Sequence, residues 1–143
     1  MTAVPRAALW LGLAGLIPFV GAAISALTGQ PAVLAGFEQR LMLHYGIIIL
    51  AFMSGVLWGF STKAEGTQAA VGYGLSVLPA LWAFFTTMGD AQSGLLALMV
   101  GFVGLLGLDW QFWRSGLAPA WWMRLRLILS AGVLACLAVG LYA

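Results

Sequence analysis

The chain has 143 residues, of which 63% are hydrophobic and 7% charged, with a net charge of +2; its mean hydropathy is +1.04. A water-soluble domain draws about a quarter of its residues from Asp, Glu, Lys and Arg, so a soluble globular domain is excluded and the outer surface must face lipid. Six Lys and Arg are too few to read as a nucleic-acid footprint, and in a membrane protein they report topology instead.

The expected fold is all-α: a polytopic bundle of membrane-spanning helices in a single transmembrane domain covering 1–143. A span needs roughly 20 apolar residues, and the polar gaps divide the chain into helices of about 5–27, 38–62, 67–88, 91–113 and 119–142.

In the first helix, Pro5 suits a first-turn position. Arg6 and Ala23-Ile24-Ser25 imitate a cleavable leader, but the apolar run from Ala7 to Leu27 is long enough to span and carries a central proline, so it is expected to stay as a helix. Thr28-Gly29-Gln30-Pro31 reads as a turn, followed by an interfacial connection to Phe37. The second helix begins at Glu38 and ends before the polar turn Lys63-Ala64-Glu65-Gly66. The third ends at Gly89-Asp90, where Asp90 is the expected N-cap of the fourth. Arg114-Ser115-Gly116 closes the fourth, and Pro119 is expected to start the fifth.

Arg6, Lys63, Arg114, Arg124 and Arg126 fall at one end of this arrangement, and Arg40 at the other. The positive-inside rule then puts the N-terminus in the cytoplasm and the C-terminus in the periplasm. Trp10, Trp58, Trp110, Trp113, Trp121 and Trp122 collect near the inner face as an aromatic belt, with Trp82 deeper.

Pro18 and Pro79 sit mid-helix. Each removes a backbone hydrogen bond, freeing the carbonyls of Ala14 and Leu75. One reading is a packing kink re-satisfied by a neighbouring helix; the other is a hinge or a midplane binding site. Gly12-Leu13-Ala14 and Gly74-Leu75-Ser76 precede the two prolines at similar spacing, which hints at a two-hairpin repeat plus a fifth helix. Gly55 and Gly59 form a small-xxx-small pair, and Gly101, Gly104 and Gly107 recur every third residue. In lipid such residues let backbones approach, either within the chain or across a homodimer. Cys136 lies in an apolar run and, as the single cysteine, forms no intrachain disulfide.

Two polar clusters are the candidates for chemistry. In the inner one, Asp109 lies five residues before Arg114 and Arg126 seven after Pro119, so they rise roughly 7 and 10 Å from the shared turn. An Asp109–Arg126 ion pair is expected, either as a latch between the last two helices or as a ligand site lined by Trp110, Trp113 and Trp121. Arg124 points about 200° from Arg126 and is expected to reach the headgroups. In the outer cluster, Arg40 and His44 share a helix face at i,i+4 beside Glu38 and Tyr45. A single histidine without a carboxylate or thiol set is a poor metal site, so no metal is expected. His44 reads as an interfacial polar residue or as a proton- or quinone-contacting one. The signatures His-Glu-x-x-His and Gly-x-Ser-x-Gly are not in the sequence, and neither enzyme activity nor a cofactor is expected.

Segments along nearly the whole chain resemble a known family. They are Leu11-Gly12-Leu13-Ala14-Gly15-Leu16-Ile17-Pro18-Phe19, Tyr45-Gly46 through Phe52, Gly55, Trp58-Gly59 and Pro79, then Asp109, Pro119, Trp121 or Trp122, and Leu125-Arg126. The chain is similar here to small bacterial and mitochondrial membrane proteins of unknown function, a family that includes vertebrate transmembrane protein sixty-nine. Trp121-Trp122 stands where the family carries Trp-Tyr. The resemblance implies a multi-pass protein of the bacterial inner membrane or a mitochondrial counterpart, implies no activity, and draws attention to Asp109 and Arg126. The expected partners are the lipid bilayer and other membrane subunits or a second copy. The expected function is an accessory or assembly partner of a larger membrane complex, with a carrier or binding protein for a small amphipathic ligand (quinone or lipid) or a proton as the alternative.

Overall fold

The computed structural model describes residues 3–143, and every regular element among them is helical. The elements are α1 (Arg6–Ala14), α2 (Ile17–Thr28), α3 (Glu38–Ser61), α4 (Gly66–Ser76), α5 (Leu78–Thr86), α6 (Ala91–Arg114) and α7 (Trp122–Tyr142), with a 3-10 turn at Ala32–Leu34. Taken as α1–α2, α3, α4–α5, α6 and α7, they form five helices long and apolar enough to cross a membrane. The protein is a multi-pass helical membrane protein. Trp10, Phe52, Phe85 and Val103 lie exposed on its flanks, where hydrocarbon rather than water is their solvent.

α3 is the axis of the bundle and packs against each of the other four spans. Phe19, Met42, Leu50, Leu57, Leu98, Phe102 and Leu137 fill the interior around it. Connections at the two ends alternate. At one end, Lys63 Nζ donates to the Leu117 carbonyl at 3.0 Å, joining the turns after α3 and α6. At the other, Gln39 Nε2 donates to the Gly140 carbonyl at 3.0 Å, tying the start of α3 to the end of α7. Gly12 packs on Leu125 and Leu129 near the start of α7, so the two ends of the chain lie at opposite ends of the bundle.

The two mid-span prolines break their helices. The first span is interrupted at Gly15-Leu16, the second break falls at Val77, and each proline lies in the first turn of the helix that resumes. Both breaks are stapled by α3. The Tyr45 hydroxyl donates to the Gly15 carbonyl at 2.8 Å, and the Ala80 amide donates to Ser54 Oγ at 2.9 Å. The groups recruited are Gly15 O and Ala80 N, displaced from the expected Ala14 and Leu75 carbonyls. The α-helical ladder gives way over a whole turn around a proline, so donors as well as acceptors are released.

The last helix differs from expectation at its start. Pro119 lies in a turn, and α7 begins at Trp122. Gly116, at φ 80°, reverses the chain; the Leu117 and Ala118 amides both donate back to the Phe112 carbonyl, and Trp113 Nε1 donates to the Ala120 carbonyl at 3.0 Å. These bonds occupy the segment that would otherwise form the first helical turn. Asp90 caps α6 as expected, its carboxylate accepting from the Ser93 amide at 3.0 Å.

The glycines divide into two groups. A methyl added at Gly46 would come within 2.6 Å of Leu98, at Gly94 within 2.7 Å of Leu43, and at Gly101 within 2.8 Å of Trp82. Those positions are where helices close on one another. Gly55 and Gly59 are exposed and a methyl there would meet nothing, as at Gly104 and Gly107. Packing within the chain is therefore not their role. Periodicity shows that small residues share a face but not which way the face points, and α3 turns this one outward.

Candidate functional site

The expected inner ion pair forms. Arg126 Nε donates to Asp109 Oδ2 at 2.8 Å. Trp122 Nε1 donates to the other oxygen, Oδ1, at 3.0 Å. Asp109 is 0% exposed, Arg126 5% and Trp122 8%. Because α7 starts at Trp122, Arg126 stands one turn in, roughly 6 Å along the axis, and Asp109 sits roughly 7 Å back from Arg114. The depths coincide, and Trp122 and Arg126, at i,i+4, share the face turned to α6.

A charge away from water needs a partner, and here the pair has a built surround. The Trp122 ring packs edge-on against Phe60 at 5.0 Å, and Lys63 Nζ lies 5.3 Å from the Phe60 centroid. Both carboxylate oxygens are engaged, Oδ2 by Arg126 and Oδ1 by Trp122. Arg126 is less complete. Its Nε is committed, while its terminal amino groups donate to no acceptor among the described residues. One turn further along the same face, Ser130 is 2% exposed and its hydroxyl has no partner among the described residues.

The other sequence candidates are spread out. Trp110 is 45% exposed and turned outward, with the Arg114 guanidinium 5.1 Å from its ring. Trp113 is tied to the 117–121 turn. Trp121 is half-buried, its ring 6.1 Å from that of Trp122. None of these three hydrogen-bonds Asp109. The tryptophan that does is Trp122, and its signal was the i,i+4 spacing to Arg126. His44 is exposed at the opposite end of the bundle, near Arg40 in a groove edged by Phe37 and Leu43. Glu38 does not pair with Arg40; its carboxylate accepts from Ser25 Oγ at 2.8 Å and from the Gly36 amide at 2.9 Å. Among the described residues no three of His, Cys, Asp and Glu stand together as a metal set.

Cavities open at both helix breaks. One, of about 160 Å3, lies beside Gly15 among α1, α2, α3, α6 and α7 and reaches Arg126. The other, of about 690 Å3, runs between α5 and α6 from Pro79 past Trp82, over a floor of Gly101 and Gly104. Trp82 Nε1 donates to the Ala97 carbonyl at 2.7 Å, which fixes one wall of this groove.

These features define a polytopic helical membrane protein with one buried Asp–Arg–Trp cluster set between its last two spans. The chain belongs to a family described as protein of unknown function (DUF3429), which matches residues 4–142. It is similar to Transmembrane protein 69 of Xenopus tropicalis, 35% identical over 130 residues, which is 88% of this chain and 50% of that protein. The chain thus spans about half the length of this curated relative. No solved structure matches it.

Proposed function

We propose that the protein is a non-catalytic accessory or assembly partner of a larger complex in a bacterial inner membrane, with its N-terminus on the cytoplasmic side. The observation that carries this reading is the outer face of α3. Ala51, Gly55 and Gly59 follow one another at four-residue intervals, all exposed, and a Cβ added at either glycine would meet nothing within 4 Å among the described residues. In lipid, helix association depends on close backbone approach, which a row of small residues permits. Phe52 and Trp58 flank the row and offer large apolar surfaces to a neighbouring helix. The orientation rests on Arg6, Lys63, Arg114 and Arg124, all at the end of the bundle where the chain starts. Copurification at native expression level, followed by blue-native gels, tests the proposal. The protein is expected in a larger assembly; recovery only as a free monomer contradicts it.

A second reading is a binding protein for a small amphipathic molecule. It is supported by the two cavities at the helix breaks, one of which touches the buried ion pair.

A further inference from the structure

The cavity beside Gly15 joins an apolar chamber to a cation that has donors left over. Gly12, Leu16, Phe19, Met53, Phe102 and Leu129 supply apolar walls, and Arg126 supplies the single charged one. Arg126 meets Asp109 through Nε alone, so its terminal amino groups remain without an acceptor although the residue is 5% exposed. Those amino groups keep some accessible surface, unlike the fully buried Ser130 hydroxyl, and the chamber is open space that Arg126 lines. An acceptor bound in the chamber takes a hydrogen bond from them.

The charge balance sets the chemistry of that acceptor. Asp109 already neutralises Arg126 at 2.8 Å. An anion entering the chamber would leave a net negative charge inside the span, which is costly in a low-dielectric setting. A neutral oxygen acceptor takes a charge-assisted hydrogen bond without that cost. Size sets the rest. An apolar cavity of about 150 Å3 takes one benzene ring, and this one is about 160 Å3. Its rim includes Leu11 and Phe52, both exposed on the bundle's outer surface, so a substituent on the ring can trail between α1 and α3 into the bilayer.

Building on the second reading above, we propose that this chamber is a binding site for a neutral single-ring carbonyl compound, such as the head of a quinone or an aryl ketone, with its oxygen on the terminal amino groups of Arg126. Entry is lateral, from the hydrocarbon.

The test is fluorine NMR of the full chain in lipid nanodiscs with three probes of like size: para-fluoroacetophenone, para-fluoro-ethylbenzene and para-fluorobenzoate. The ketone is expected to show a bound resonance distinct from its lipid signal and to bind about tenfold more tightly than the hydrocarbon, the worth of one charge-assisted bond. Leu129→Trp, which fills the chamber, is expected to abolish the bound resonance. The double variant Asp109→Leu/Arg126→Met removes both charges together and is expected to bind ketone and hydrocarbon equally. Equal binding of those two probes by the wild type, both lost in Leu129→Trp, overturns the carbonyl assignment while the binding-protein reading stands. Tighter binding of the benzoate overturns the neutral-ligand argument. A bound resonance for none of the probes overturns the site, and the absence of any small-molecule adduct in native mass spectra of protein taken directly from membranes overturns the binding-protein reading itself.

Discussion

Replacing Asp109 with alanine leaves the Arg126 guanidinium 5% exposed with its partner at 2.8 Å gone. It also strips the Trp122 indole N–H of its acceptor. Breaking a buried ion pair from one side costs about 3–5 kcal/mol, because the surviving charge stays poorly solvated. The orphaned indole adds about 1 kcal/mol. Removing both charges is a different perturbation. Asp109→Leu/Arg126→Met keeps similar volume and leaves no charge behind, so the loss is expected to stay below about 2 kcal/mol, most of it from the indole. Folding free energies from SDS titration in mixed micelles, read by tryptophan fluorescence, give both values. Glu38→Ala is the comparison, since Glu38 lies at a helix start with solvent access; it is expected to cost less than Asp109→Ala, because water can replace its bonds to Ser25 and Gly36. An Asp109→Ala variant no less stable than Glu38→Ala, or a double variant worse than the single, refutes the view that a buried charge pair organises the last two helices.

Tyr45→Phe and Ser54→Ala each remove one staple of a helix break and are expected to cost about 1 kcal/mol. Hydrogen exchange should then speed up at the Ala80 amide in Ser54→Ala and leave it unchanged in Tyr45→Phe. A Cβ added at Gly55 or Gly59 meets nothing within 4 Å among the described residues, and Gly55→Leu/Gly59→Leu is expected to keep full folded yield while losing the larger species on blue-native gels; loss of both together would place these glycines in the core. The Ser93 amide, and after it the Ser93 side chain, hold the Asp90 carboxyl below the ordinary aspartate range. A depressed folded-state value adds stability above the unfolded value, which fades as pH falls through the folded one. The first turn of α6 is therefore expected to fray below about pH 4, and Asp90→Asn should remove that dependence in hydrogen exchange.

The spans were legible because hydrocarbon leaves a chain little choice: long apolar runs must become helices, and charges gather in the gaps. The Asp109–Arg126 pair was legible from depth alone, by counting residues on either side of a shared turn. Trp122 was not. Depth groups all the inner tryptophans together, and only the i,i+4 spacing of Trp122 to Arg126 separates it from Trp121. The prolines announced both breaks, but the side chains that staple them come from α3: Tyr45 stands 30 residues from Gly15, and Ser54 stands 26 from Ala80. No local pattern encodes such a pairing. The same holds for Gly46 and Gly55. They lie nine residues apart on one helix, yet one is closed by Leu98 and the other open, which depends on where the neighbouring helices stand.

Five crossings, with the two chain ends on opposite faces of the membrane, underlie every depth and partner described above. Single cysteines introduced at Ala3 and at Ala143 in a Cys136→Ala background, probed with a membrane-impermeant maleimide in intact and in opened cells, measure this directly. Opposite accessibility is the predicted result, with the C-terminal cysteine labelled in cells whose outer barrier alone is breached. Labelling of both positions from one side would contradict it.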